Sequence, residues 1–204
     1  MMKLDHIAVA AETLKEGQTY VENALGVALE PGGEHTKLGT HNMLLGLEEG
    51  IYFELIAINP KAPAPGLRRW FNLDDFSGRP RLTNWICNTD DLDAALALAP
   101  EQMGQAMELT RGDLRWMMAA GLDGRLPFEQ GFPAIISWGD SPHPSARLKP
   151  SGLRLERLVL SNPEAGALKT ALAPLIADAR VVVEQGPVGM RAEFSSPDGQ
   201  KVLE

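Results

Sequence analysis

Two polar side chains stand alone in apolar runs. His6 interrupts Leu4-Asp5-His6-Ile7-Ala8-Val9, and Glu54 interrupts Ile51-Tyr52-Phe53-Glu54-Leu55-Ile56-Ala57. Both runs read as buried strands, where an imidazole or a carboxylate is costly unless it finds a partner. A shared partner, either each other or a metal ion, would satisfy both, so the chemistry open to them is metal ligation or acid–base work, with Glu54 able to move a proton if no metal holds it. Two protein ligands hold a metal poorly. His41, on the strand expected beside Glu54, is a candidate third ligand, and His35, across a Gly-Gly turn, is another. Arg157 lies in a further apolar strand. It either pairs with a carboxylate such as Glu204 at the surface or faces a cavity, where its planar fork would grip a substrate carboxylate. Asn42 could add a hydrogen bond to a ligand. Trp138, at a strand end ahead of Gly139-Asp140, stands where barrel mouths place ligand-facing aromatics. His143, between two prolines, reads as a surface residue. The sequence carries no phosphate loop and no G-x-S-x-G nucleophile motif.

The elements that must position these groups repeat along the chain. Side chains alternate across a strand, so Leu4, His6 and Ala8 share one face and Ile7 and Val9 the other. If Ile7 and Val9 face a helix, His6 faces whatever the sheet encloses. That helix is expected after Glu12-Thr13, with Leu14, Val21 and Leu25 as its stripe and Gly26 as its stop. A short strand at Val27-Ala28-Leu29, a turn at Pro31-Gly32-Gly33, a strand from Met43 to Leu47 and the strand from Ile51 to Ile58 complete a β-α-β-β-β unit. A Pro-rich connection over 60–80 carries Trp70 and Phe71, expected to pack back on the protein. The pattern returns over 81–140, with strands at Leu82–Cys87, Ala106–Thr110, Leu114–Ala119 and Ala134–Trp138 and a helix over Thr89–Ala99. It returns again over 152–204, with strands at Leu153–Leu160, Val181–Val183, Met190–Phe194 and Lys201–Leu203, and a helical stripe of Leu168, Leu172 and Leu175. Laid on the first unit (1–60), these repeats place Asn84 and Arg157 opposite His6, and Glu204 opposite Glu54. The expectation is one α+β domain of repeated βαβββ modules, with curled mixed or antiparallel sheets around a cup-shaped pocket and helices outside.

A chain of 204 residues with 44% hydrophobic and 23% charged side chains can bury a substantial core. Its net charge of -8 repels phosphate backbones and anionic lipid, so nucleic acid and membrane are not expected as partners. The start of the sequence, Met1-Met2-Lys3-Leu4-Asp5, does not read as a secretory signal. The single cysteine, Cys87, leaves no intramolecular disulfide and no cysteine zinc cluster. A reducing cytoplasm is the expected setting.

Leu4-Asp5-His6-Ile7, Gly33-Glu34-His35, Gly39-Thr40-His41-Asn42 and Tyr52-Phe53-Glu54-Leu55-Ile56, with the Pro127-Phe128 to Trp138 segment and the Ser195-Ser196-Pro197-Asp198-Gly199 turn, resemble the glyoxalase-like domain proteins of the vicinal oxygen chelate superfamily. That superfamily includes lactoylglutathione lyase, ring-cleaving dioxygenases and bleomycin-resistance proteins. The resemblance covers essentially the whole chain. It implies paired modules closing into a cup and a divalent metal (Zn, Ni, Fe or Mn) held from the first and fourth strands of both halves. His6 and Glu54 match the first half's ligand positions. The second half offers Asn84, or Arg157 with Glu204, where a histidine or glutamine with a glutamate would complete the set, and a guanidinium has no lone pair to give. Two readings follow. One is an enzyme, a metal-dependent lyase, isomerase or dioxygenase acting on a small oxygenated, carboxylated molecule. The other is a metal-free small-molecule binding or sequestering protein of the bleomycin-resistance type. Superfamily members often pair, so a homodimer is expected on that ground.

Overall fold

The computed structural model describes residues 1–121 and 123–204. Its first unit is β1 (Lys3–Ala10), α1 (Leu14–Leu25), β2 (Glu30–His35), β3 (Thr40–Glu48) and β4 (Ile51–Ile58). Thr13 caps α1 by accepting from the Glu16 backbone N–H at 3.2 Å, and Gly26 ends it in the left-handed conformation. Val21 and Leu25 are buried on the sheet, while Leu14 is only partly covered. The second unit is β5 (Arg81–Asn88), α2 (Leu92–Leu98), β6 (Met107–Arg111), β7 (Leu114–Ala119) and β8 (Ala134–Ser137). α2 is shorter than its apolar spacing suggests because Asp91 caps it, accepting from the Ala94 N–H. Its fully buried residue is Ala95.

These two units share one eight-stranded sheet in the order β2-β3-β4-β1-β5-β8-β7-β6. Within each, the first strand pairs in parallel with the fourth, β1 with β4 and β5 with β8. β1 and β5 join the halves antiparallel. The sheet curls nearly closed, with helices outside and edge strands β2 and β6 brought near one another. The 60–80 connection returns to the fold: Trp70, Phe71 and Leu73 are buried.

β2 differs from the sequence expectation. The strand is not at Val27–Leu29 but runs through Pro31-Gly32-Gly33, with a register shift against β3 between Pro31 and Glu34. An edge strand tolerates proline because one side of its backbone needs no ladder partner, and the glycines admit side chains from neighbouring strands. β3 begins at Thr40, three residues before Met43.

The third unit is β9 (Arg154–Asn162), α3 (Ala165–Leu172), β10 (Val181–Gln185), β11 (Gly189–Ser196) and β12 (Gly199–Leu203). Asn162 Oδ1 accepts from the Glu164 N–H ahead of α3, whose Leu168 and Leu172 are buried together with Leu175. Element order repeats but pairing does not: this sheet runs β10-β9-β11-β12, so its first strand lies between the second and third and not beside the fourth. The separate sheet packs outside the curled one, with β11 against β5 and β12 against α1. The Tyr20 hydroxyl donates to the Glu204 carbonyl at 2.7 Å across that junction. No helix among the described residues is long and apolar enough to cross a membrane.

Candidate functional site

The concave face of the curled sheet encloses a cavity of about 40 Å³, space for about three waters. Strand alternation selects its lining: Tyr52, Glu54 and Ile56 from β4, Leu109 and Arg111 from β6, Trp116 and Met118 from β7. β1 adds His6, β2 adds His35, β3 adds Thr40 and β8 adds Ile136, with Trp138 just beyond it. Trp70, Phe71 and Leu73 also line it, from the connection.

Asp5 and His6 are adjacent in sequence yet act together in this site. β1 carries a bulge against β5, with Leu4 opposite Cys87 and His6 opposite Ile86, so Asp5 is the unpaired residue between them. Its carboxylate, fully buried, holds His6 Nδ1 on Oδ1 at 2.5 Å. Oδ2 accepts from Trp138 Nε1 at 2.8 Å and Asn88 Nδ2 at 2.9 Å, and meets His143 Nε2 at 3.0 Å. Burial works against the charge, but the bonds to His143 and His6 outweigh it and hold the Asp5 carboxyl well below the usual range.

His6 Nε2 points the other way, 3.6 Å from Glu54 Oε2, an ion-pair distance too long for a hydrogen bond. Burial alone would favour neutral imidazole, yet the flanking Asp5 and Glu54 carboxylates raise the His6 pKa. Tyr52 stacks on the ring, with centroids 4.3 Å apart and planes 19° from parallel, an arrangement that favours the imidazolium. Burial keeps the Tyr52 phenol protonated, its pKa well above 10.

Glu54 Oε1 accepts from Asn42 Nδ2 at 2.5 Å. Asn42 Oδ1 is itself held by the Gly33 backbone N–H at 2.9 Å. Burial raises the Glu54 pKa, but His6 above all, with His35 and Asn42, lowers it to about 2. His35 is the opposite case. Burial pushes it down to about 4 although Glu54 pulls upwards, so it is neutral at pH 7. Its Nδ1 meets Thr40 Oγ1 at 3.0 Å and its Nε2 lies 3.5 Å from Asn42 Nδ2.

The structure thus gathers His6, Glu54 and Trp138 on one cavity, with Asn42 buried behind Glu54 as its orienting donor. Two expected residues are elsewhere. Arg157 is on β9 in the outer sheet, its side chain 39% exposed and paired with Glu184 at 3.0 Å, because the third unit does not repeat the pairing of the first. His41 lies between Thr40 and Asn42, and since those two face the Glu54 side of β3, alternation turns it outwards, where it is half-buried. The sequence does not mark Asp5, Arg111, Trp116 or His143 as site residues, and it offers His35 only as the alternative to His41. The bulge that turns Asp5 inwards leaves no mark in the sequence. Arg111 ends β6 one residue beyond Thr110, where the expected strand stops.

A divalent metal does not fit this donor set. Its first half would be His6 Nε2 and Glu54 Oε2; His35 also lines the cavity but is held by Thr40 and Asn42, and the facing half presents Trp116, Met118 and Ile136. Among the described residues no three histidine, cysteine or acidic side chains are arranged to hold a metal.

Known proteins place this geometry in a family. Residues 4–176 match the model of the glyoxalase-like domain. No curated protein sequence matches the chain. A hypothetical protein from Staphylococcus aureus shares the fold, with a TM-score of 0.64 at 17% identity over 93% of this chain and 88% of that chain. Methylmalonyl-CoA epimerase from Mycobacterium tuberculosis is 19% identical over 70% of this chain and 91% of that chain, with a TM-score of 0.44. The Streptomyces coelicolor enzyme of the same name, in complex with 2-nitronate-propionyl-CoA, is 17% identical over 67% of this chain and 97% of that chain, also at 0.44. With residues 4–176 matched, over half of its length, the chain belongs to the glyoxalase-like domain family.

Proposed function

We propose that the cavity is the active site of a glyoxalase-like enzyme that moves a proton on a small oxygenated carboxylate, in an isomerase or lyase type of reaction. The observation that carries this reading is the Asp5–His6–Glu54 series, which sets an imidazole between two carboxylates that raise its pKa, in a small and mainly apolar cavity. The pair favours an ionised Glu54 as proton acceptor and a proton-bearing His6 as donor, and a ligand that displaces His6 from Glu54 raises the carboxylate's basicity. A substrate carbonyl oxygen accepting from His6 Nε2–H is polarised, and Glu54 takes the proton from the adjacent carbon. The enolate formed is stabilised by the imidazolium, which Asp5 orients through Nδ1. Returned to the opposite face of that carbon, the proton inverts the centre; delivered to the oxygen, it gives the enol isomer. Asn42 fixes the Glu54 rotamer, and Trp138 braces Asp5. No step calls on a metal.

The test is deuterium exchange. Pyruvate and 2-oxobutyrate, incubated with the protein in D2O, are followed by proton NMR for loss of signal at the carbon beside the carbonyl. Wild type accelerates exchange and Glu54→Gln lowers the rate by about 100-fold or more. A second reading, a metal-free binding protein, draws on the mainly aromatic and aliphatic lining. It predicts that these acids bind wild type with no exchange above the protein-free rate.

A further inference from the structure

We infer that Arg111, standing at the seam between β2 and β6, is the anion-recognising residue of the cavity and marks the way in, with Trp116 as the second donor. The ligand is then a small carboxylate whose charged end stays at the seam while its other end reaches Glu54. This deepens the proposed function and relies on it only for which end meets Glu54.

The seam is a property of the topology. β2 and β6 are the two edges of the eight-stranded sheet; they come close without pairing in a ladder. A side chain bridges them, Lys37 Nζ donating to the Glu108 carbonyl at 3.1 Å. Edge strands that meet without a ladder can part without losing backbone hydrogen bonds to each other. Arg111, the last residue of β6, lines the inner cavity and also an outer groove with Glu30, Gly33 and Leu114. It is the group a ligand passes between the two.

The sequence leaves room for this arginine. Its stem lies across Gly33 on β2: a Cβ added there would come within 2.8 Å of Arg111 Cγ and 3.0 Å of Cδ. Among the described residues the guanidinium has neither a carboxylate at ion-pair distance nor a hydrogen-bond acceptor. The other charged groups of the site are committed, Asp5 and Glu54 to His6. Among the described residues Arg111 carries its positive charge without a fixed counter-ion. A carboxylate at Arg111 with a proton-bearing carbon towards Glu54 fits that polarity. The arginine's charge also acts on His35 and Tyr52, both on the cavity wall.

Trp116 supplies an independent sign of a missing acceptor. Its indole Nε1 is buried with no partner among the described residues, in a ring that lines the cavity. An unpaired buried N–H is costly and a ligand oxygen removes that cost. In the β6–β7 ladder Leu109 faces Trp116 and Arg111 faces Leu114. Trp116 is therefore the diagonal neighbour of Arg111 on the same face, within reach of one carboxylate.

The experiment follows the indole N–H signals of the 15N-labelled full chain, with Trp116 assigned through Trp116→Phe. Acetate and pyruvate are titrated beside acetamide and pyruvamide. The expected result is a saturable shift of the Trp116 signal with the carboxylates, amides binding at least tenfold more weakly. Arg111→Met weakens carboxylate binding at least tenfold and leaves the amides unchanged, while Arg111→Lys falls between. The unmoved indole signal of Trp85, which donates to the Gly131 carbonyl outside the cavity, reports that each variant is folded. Glu54→Gln keeps carboxylate binding and loses exchange. Equal binding of acid and amide, no binding of either acid, or wild-type affinity in Arg111→Met overturns the inference. Carboxylate binding that depends on Arg111 without exchange of pyruvate sinks the proton-transfer reading alone.

Discussion

Asp5 holds His6 from behind, Oδ1 to Nδ1 at 2.5 Å, on a residue that the strand ladder itself leaves unpaired. The bulge turns a side chain expected on the helix-facing side into the base of the site. Asp5 also gathers Trp138, Asn88 and His143 on its second oxygen. Replacing it with asparagine sets an N–H2 group where three donors converge, or frees His6 Nδ1. The expected cost is about 3–5 kcal/mol, as for removing one partner of a buried ion pair. Urea unfolding of Asp5→Asn at pH 7 gives that number, and NMR titration of His6 shows its pKa lowered towards or below the ordinary 6.5. A variant as stable as wild type with an unmoved His6 would contradict the role given to Asp5.

His35 sets an acid limit on stability that starts above the carboxylate range. Its folded pKa is about 4 against 6.5 when exposed, so between those values the unfolded chain binds more protons. Its contribution is whole above pH 6.5 and is lost as pH falls towards 4, by about 3 kcal/mol. The Glu54 contribution, with a folded pKa of about 2 against 4.5, is lost only below pH 4.5. His6 has the opposite sign. Its raised pKa gives a contribution present below 6.5 and lost as pH climbs through the raised value. Stability therefore peaks near pH 6.5, and His35→Asn flattens the acid limb between 6.5 and 4.5 while leaving the alkaline limb in place. Chemical denaturation across pH 4 to 9 for both proteins measures the two limbs separately.

The fold was legible because its signals are local. Hydrophobic alternation marked the strands, Gly26 and Asn162 marked helix ends, and the order of elements repeated. Pairing was not legible, since β9 has the same apolar pattern whether its neighbour is β12 or β11. That is why Arg157 could be laid on His6 and yet lie outside. The site was half legible. A lone histidine and a lone glutamate in apolar strands announce themselves, but a bulge at Asp5 and a strand one residue longer at Arg111 are decided by tertiary pairing. His41 and Asn42 show how fine the margin is: starting β3 at Thr40 fixes which of the two faces inwards.

Arg157 and Arg111 make a matched pair of tests. Arg157 pairs with Glu184 at the surface, so Arg157→Ala changes stability by less than about 1 kcal/mol and leaves acetate affinity unaltered. The same titration that finds a loss in Arg111→Met must find none there. If Arg157→Ala weakened acetate binding tenfold, the outer sheet would have to contribute to the ligand site.

The donor set makes a further prediction about metals. With His6 and Glu54 as the coordinating pair, His35 turned to Thr40 and Asn42, and Trp116, Met118 and Ile136 opposite, zinc, nickel, iron(II) and manganese are expected to bind weakly. Isothermal titration of chelator-treated protein, and of Glu54→Gln beside it, is the measurement. A stoichiometric, tight site in wild type that disappears in the variant would mean that a third ligand moves in on metal binding, with His35 the cavity histidine placed to do so.

Gly32 is the least conspicuous residue with a large expected effect. A Cβ there would sit 2.1 Å from Asn42 Oδ1 and 2.7 Å from the Asn42 carbonyl oxygen. One of those atoms is backbone, so Gly32→Ala displaces either β2 or the Asn42 side chain, at about 1–3 kcal/mol. If Asn42 moves, Glu54 Oε1 loses its donor and the carboxylate loses part of what holds it ionised, so its pKa rises from about 2. Carbon-detected NMR of the Glu54 carboxyl reads that rise directly. Gly66→Ala is the control, because nothing lies within 4 Å of a Cβ at that position. A double-mutant cycle separates a local clash from coupling through the amide. In an Asn42→Ala background, Gly32→Ala should no longer shift Glu54, whereas an undiminished shift would show that β2 acts on Glu54 by a route other than Asn42.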